Sequence, residues 1–150
     1  MTTITAPSLE ALTAITDRIN AGGAEYSLSS LATYAYQLNE DIQDLGTNAI
    51  VTVVHKSSEE LDDRLDAGSG SQEMLQVFVR ATIDNQDAAT IADLDLLTAQ
   101  IARRLKWFRS SDNRVQVWEC GLIEDAPDYE TKRQLNVFQR VIALRVEVAA

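Results

Sequence analysis

The chain has 150 residues, 45% of them hydrophobic, which is enough apolar material for one domain with its own core. Its net charge of −10 argues against a general nucleic-acid surface, because phosphate affinity rests on clustered Lys and Arg. No apolar run approaches the ~20 residues of a membrane-spanning helix, and the lone Cys120 excludes an internal disulfide.

The charge is uneven. Residues 1–73 hold 12 acids and 3 bases; residues 74–150 hold 11 acids and 10 bases. The front half therefore repels DNA, meets a basic partner, or serves solubility alone. The N-terminus lacks the basic and apolar blocks of a signal peptide, and one cysteine suits a reducing cytoplasm, which is the expected compartment.

In chain order, Ser8 is expected to cap a first helix whose apolar stripe is Leu9, Leu12, Ile15 and Ile19. Asn20-Ala21-Gly22-Gly23 ends it. Tyr26 to Gln37 has no clean period and reads as loop or an irregular helical piece. Asn39 to Leu45 reads as a short helical turn.

Ala49 to Lys56 is expected as a central strand, with Ile50, Val51, Val53 and Val54 giving it two apolar faces. Ser57 and Glu60 have the spacing of a capping box, so a short acidic helix through Asp66 is expected. Gly68-Ser69-Gly70-Ser71 reads as a hinge, and the whole connection 57–73 as a mobile loop.

The segment Met74 to Phe108 carries the strongest pattern. Leu75, Val77, Val79, Ala81 and Ile83 alternate with Gln76, Phe78, Arg80 and Thr82, a strand of period two. Asp84-Asn85-Gln86-Asp87 is a turn. Ile91, Leu94, Thr98, Ile101, Leu105 and Phe108 then recur at steps of three and four, one stripe on a long helix. Arg103, Arg104, Lys106 and Arg109 gather at its end, where the helix dipole favours cations.

Arg114 to Leu122 follows as a strand. Val115 and Val117 are expected on one face, with Trp118, Cys120 and Leu122 on the other. Gly121 marks a bulge or a strand end. Leu135 to Val148 is a long last strand, with Phe138, Ile142, Leu144, Val146 and Val148 on one face. Its length exceeds what a small sheet needs, so the excess projects or forms an edge that pairs with another chain.

The expected fold is a single α+β domain over residues 1–150, a mainly antiparallel four-stranded sheet with two longer helices packed on one face.

Chemistry is sparse. His55, the only histidine, lacks a catalytic partner that sequence can name. Cys120 lies in an apolar strand and reads as an inert core thiol. One His and one Cys are too few for a usual zinc site. Asp84, Asn85, Asp87 and Asp95 lack the sharp-turn glycine of a calcium loop. No cofactor, metal or catalytic residue is expected, and an enzyme is disfavoured.

The helix start Leu9-Glu10-Ala11-Leu12, the strand Ala49 to His55, and the strand Leu75 to Ile83 with its helix to Phe108 form one arrangement. It closes with Asp128-Tyr129-Glu130 before Val137-Phe138-Gln139-Arg140. In this order and texture, over nearly its whole length, the chain resembles the tail-terminator (tail-completion) proteins of long-tailed bacteriophages. Tyr26 to Leu45 is the least similar part.

The resemblance implies a structural virion protein assembled in the host cytoplasm. It forms a homohexameric ring at the neck, caps the tail tube, and presents a surface to the head-completion (stopper) protein. Under it, Arg103, Arg104, Lys106 and Arg109 are expected at a subunit or partner interface. Glu59, Glu60, Asp62, Asp63 and Asp66 are expected to face the lumen or a partner. The alternatives are another neck or tail-tube component and a small cellular α+β binding module.

Overall fold

The computed structural model describes residues 6–28, 30–37, 49–61, 70–82, 88–123 and 137–149. Helix α1 (Pro7–Asn20) opens on Pro7, whose fixed φ suits the first helical position. Ala6 occupies the cap position and no side chain caps the helix. Ser8 instead places its Oγ 3.1 Å from the Tyr36 hydroxyl, so the expected Ser8 cap is not formed.

Strands β1 (Ser30–Ala35), β2 (Ala49–Leu61) and β3 (Gly70–Thr82) follow, then α2 (Ala88–Leu105), β4 (Val115–Ile123) and β5 (Val137–Val148). Among the described residues they form one mixed sheet of order β1-β2-β3-β5-β4. Only β1 and β2 run parallel; the other three pairings are antiparallel.

The class is therefore α+β as expected, with a fifth strand added. The extra strand is β1, in the segment expected to be loop or helical. A single 3-10 turn, Gly23–Glu25, precedes it.

Two further expectations are corrected. Ser57 to Leu61 continue β2, and Gly70 and Ser71 begin β3, so the capping-box helix and the Gly-Ser hinge give way to a hairpin. Residues 62–69 lie outside the described residues, as do Ile83 to Asp87, the Asn39–Leu45 turn and Asp128 to Glu130. The last strand is interior, not an edge: β5 pairs with β3 along one side and β4 along the other. Its length serves two ladders.

Both helices cover the same face. Leu12, Ile15 and Ile19 of α1 and Leu94, Leu97, Ile101 and Leu105 of α2 are fully buried. They form one cluster with Val51 and Val53, with Leu75, Val77 and Val79, and with Ile142, Leu144 and Val146. The strand residues share a face because every second side chain points the same way.

The helix ends are locked to each other. Arg18 Nε donates to the Arg104 carbonyl at 3.1 Å, and Arg104 Nε donates to the Arg18 carbonyl at 2.8 Å. Each guanidinium thus meets the negative end of the other helix's dipole. Arg18 also stands 5.0 Å over the Phe108 ring. A Cβ on Gly22 would lie 2.7 Å from Arg104 Cδ, which the lock holds in place, so this close approach needs glycine.

Leu94→Ala or Ile101→Ala should each cost about 2–5 kcal/mol, the usual range for emptying a buried site. Urea unfolding measures it. A loss below ~0.5 kcal/mol at both, typical of exposed positions, would contradict this packing.

Candidate functional site

His55 finds the partner that sequence reasoning missed. Its Nε2 lies 2.6 Å from Glu73 Oε2, and Glu73 is 1% exposed. The Ser58 hydroxyl donates to the same carboxylate oxygen and lies 3.0 Å from Nε2.

A β-bulge brings these groups together. The β2–β3 register skips Lys56, so His55 pairs with Leu75 and Ser58 pairs with Glu73. Plain alternation would put His55 and Ser58 on opposite faces; the extra residue puts both on the face of Glu73. Tyr36 closes the group, its ring edge-on to His55 at 5.9 Å.

The arrangement differs from a hydrolytic triad. With the carboxylate accepting, Nε2 carries the proton and has no lone pair to take one from Ser58. In a triad the carboxylate holds the far nitrogen, Nδ1. The group therefore satisfies a buried carboxylate, which is costly to leave unpaired.

The four cations named from sequence diverge. Arg104 turns inward to α1, with Nη1 also 4.0 Å from Glu25. Arg103 is exposed. Arg109 donates to Gln116 Oε1 at 3.1 Å. Lys106 is exposed and lines a cleft at the β4 edge. Of the five acids, Glu59 is exposed on the β2–β3 hairpin and Glu60 belongs to the same strand. Asp62, Asp63 and Asp66 lie outside the described residues.

The cleft beside Lys106 is open and has a volume of about 370 Å³. Trp107 and Trp118 both line it, 69% and 44% exposed. Trp107 has φ 62, an uncommon conformation for a bulky residue. Trp118 sits at a second bulge, between Val117 and Glu119. That bulge resets the strand: Cys120 pairs with Leu144 and joins Val115 and Val117 on the helix-facing side, contrary to the simple alternation expected. It lies three residues before Gly121, where sequence placed it.

Cys120 Sγ donates to the Ala102 carbonyl at 3.5 Å, and burial pushes the thiol pKa up although Lys106 opposes it. Less thiolate means less nucleophile, in keeping with an unreactive thiol.

At the other end of the sheet, β1 presents Leu31, 68% exposed, and Tyr34, 45% exposed. Among the described residues, no cluster of three His, Cys, Asp or Glu side chains is placed to hold a metal ion. No described helix is long and apolar enough to cross a membrane.

No protein-family model matches the chain, and no curated protein matches it. Among solved structures, the virion of a native gene transfer agent particle holds a chain similar to this one. The two are 13% identical with a TM-score of 0.49, over 97% of this chain and 100% of that one. A likeness this slight carries no functional argument.

His55→Phe should cost about 1–3 kcal/mol, because it takes a partner from a buried carboxylate. Combining it with Glu73→Leu should cost less than the two single losses together, since no unpaired carboxylate remains. Urea unfolding of the four proteins gives the cycle. Strict additivity would mean that the two residues do not depend on each other.

Proposed function

We propose that this chain is a tail terminator, a structural virion protein of a phage neck. Copies form a homohexameric ring that caps the tail tube and joins it to the head-completion (stopper) protein. It acts without catalysis, cofactor or membrane.

One observation carries the assembly reading. Six large hydrophobics are strongly exposed among the described residues. Five of them, Leu31, Tyr34, Tyr36, Trp107 and Trp118, lie at or beside the two opposite edges of the sheet. Exposed apolar groups gathered in this way mark interaction surfaces. Two unlike surfaces on one subunit give head-to-tail contacts, which close into a ring when the rotation divides a full turn. The terminator role itself rests on the sequence resemblance, which supplies the ring size and the neighbours.

Sedimentation velocity tests the reading. A hexamer has six times the 16.6 kDa chain mass, ~100 kDa. The purified protein, alone or on isolated tail tubes, should reach that mass. A strict monomer in both settings would favour the cellular binding module. A ring that adds to tubes without stopping their growth would favour a tail-tube component.

The acidic balance gives a second outcome. Duplex DNA should show no retention on the protein at about 50 mM salt, where phosphate contacts are strong. An acidic wall repels the duplex over roughly the Debye length, ~8 Å at physiological salt. Replacing Glu59, Glu60, Asp62, Asp63 and Asp66 with Lys should create retention in a gel-shift assay. Tight binding of duplex by the unmodified protein would overturn a ring whose lumen is lined by these acids.

A further inference from the structure

We propose that the Trp107–Trp118 cleft seats the β1 edge of a second copy of this chain. The joint is made by side chains and not by a continued strand ladder. It rests on the self-assembling reading above and adds the two surfaces that meet.

The seat is built from irregular backbone. The chain has two tryptophans, and both line this cleft. One is turned outward by a left-handed residue and the other by a bulge. Met74 and Cys120 give the cleft an apolar lining, while Lys106 and Arg145 give it cations. Arg145 pairs with Glu119 through Nη1 at 3.4 Å. Exposed tryptophan beside arginine is the composition of an interface hot spot.

The occupant follows from the opposite edge. There β1 offers Leu31 on one face of the strand and Tyr34 on the other. Charge favours the match. Asp17 is exposed on α1, one turn before Asn20, and Asn20 touches β1. Lys106 is its counterpart at the cleft.

Part of each edge is closed to strand pairing. Asn20 Nδ2 donates to the Ala32 carbonyl, and the Ala32 amide donates to Asn20 Oδ1, both at 2.9 Å. The side chain thus occupies the hydrogen-bonding groups that β1 turns outward at its centre. On β4, the Val117 amide donates to the Phe108 carbonyl and the Ser110 amide to the Val115 carbonyl, each at 2.9 Å. The segment 108–110 therefore covers β4 up to Val117, where the tryptophan cleft begins. With the Ala32 groups occupied at the centre of β1, side chains make the joint.

The test uses one defect on each surface. Leu31→Asp spoils the β1 edge and leaves the cleft whole. Trp107→Ala with Trp118→Ala spoils the cleft and leaves the β1 edge whole. Each variant alone should associate at least about 30-fold more weakly than the unmodified protein, as loss of a hot-spot residue does. Mixed, the two restore one sound joint per pair, so sedimentation should show dimers, twice the 16.6 kDa chain mass, and nothing larger. This rescue also shows that both variants are folded. A mixture that stays monomeric, or variants that assemble like the unmodified protein, would overturn this joint while leaving the ring reading intact. An unmodified protein that never assembles, alone or on tail tubes, would overturn both.

Discussion

The sheet has one face to give to helices, and that face is fully used. Leu12, Ile15 and Ile19 from α1 and Leu94, Leu97, Ile101 and Leu105 from α2 fill it. The reciprocal Arg18–Arg104 bonds hold the two helix ends together over the sheet. Further binding must use the second face or the edges. This constraint explains why five of the six large apolar side chains left in solvent among the described residues gather at or beside β1 and β4.

Those edges also carry the protein's protection against misassembly. An unguarded edge strand invites pairing with any other chain. Here the Asn20 amide occupies the outward groups of Ala32, and the 108–110 segment covers the first part of β4. Ladder pairing is interrupted at these points, which leaves more of the discrimination between partners to side chains.

The elements legible in the sequence are those whose two faces differ in polarity. The central strand and α2 are such elements: Leu75 to Ala81 alternate, and Leu94, Thr98, Ile101 and Leu105 hold a helical stripe. Strand β1 left no such trace, because Leu31, Thr33 and Tyr34 are all exposed at an edge. The far end of β2 misled for another reason. Ser57-Ser58-Glu59-Glu60 has the spacing of a helix cap, and the bulge at Lys56 breaks the period that would mark a strand. Trp118 hid behind a bulge in the same way. The cluster around Glu73 depends on register between strands, which no local pattern holds. The cation run 103–109 was visible, but not that Arg104 turns inward while Lys106 turns to the cleft.

Glu73 gives that register a physical anchor. A β2–β3 hairpin can slip by one residue at little cost in ladder hydrogen bonds, but each slip reverses every side chain. In the native register the Glu73 carboxylate meets both His55 and Ser58. A one-residue slip leaves it buried without them, or turns it outward and moves Leu75 off the core. Either outcome is penalised: the first by an unpaired buried carboxylate, the second by lost apolar burial. Buried polar groups often specify one arrangement over its near neighbours, with little gain in total stability. Through Tyr36, which meets His55 edge-on and reaches Ser8, the same cluster links the end of β1 to the start of α1. The hairpin and the β1 edge are therefore set together, so the exposed apolar side chains of that edge inherit their position from this buried carboxylate.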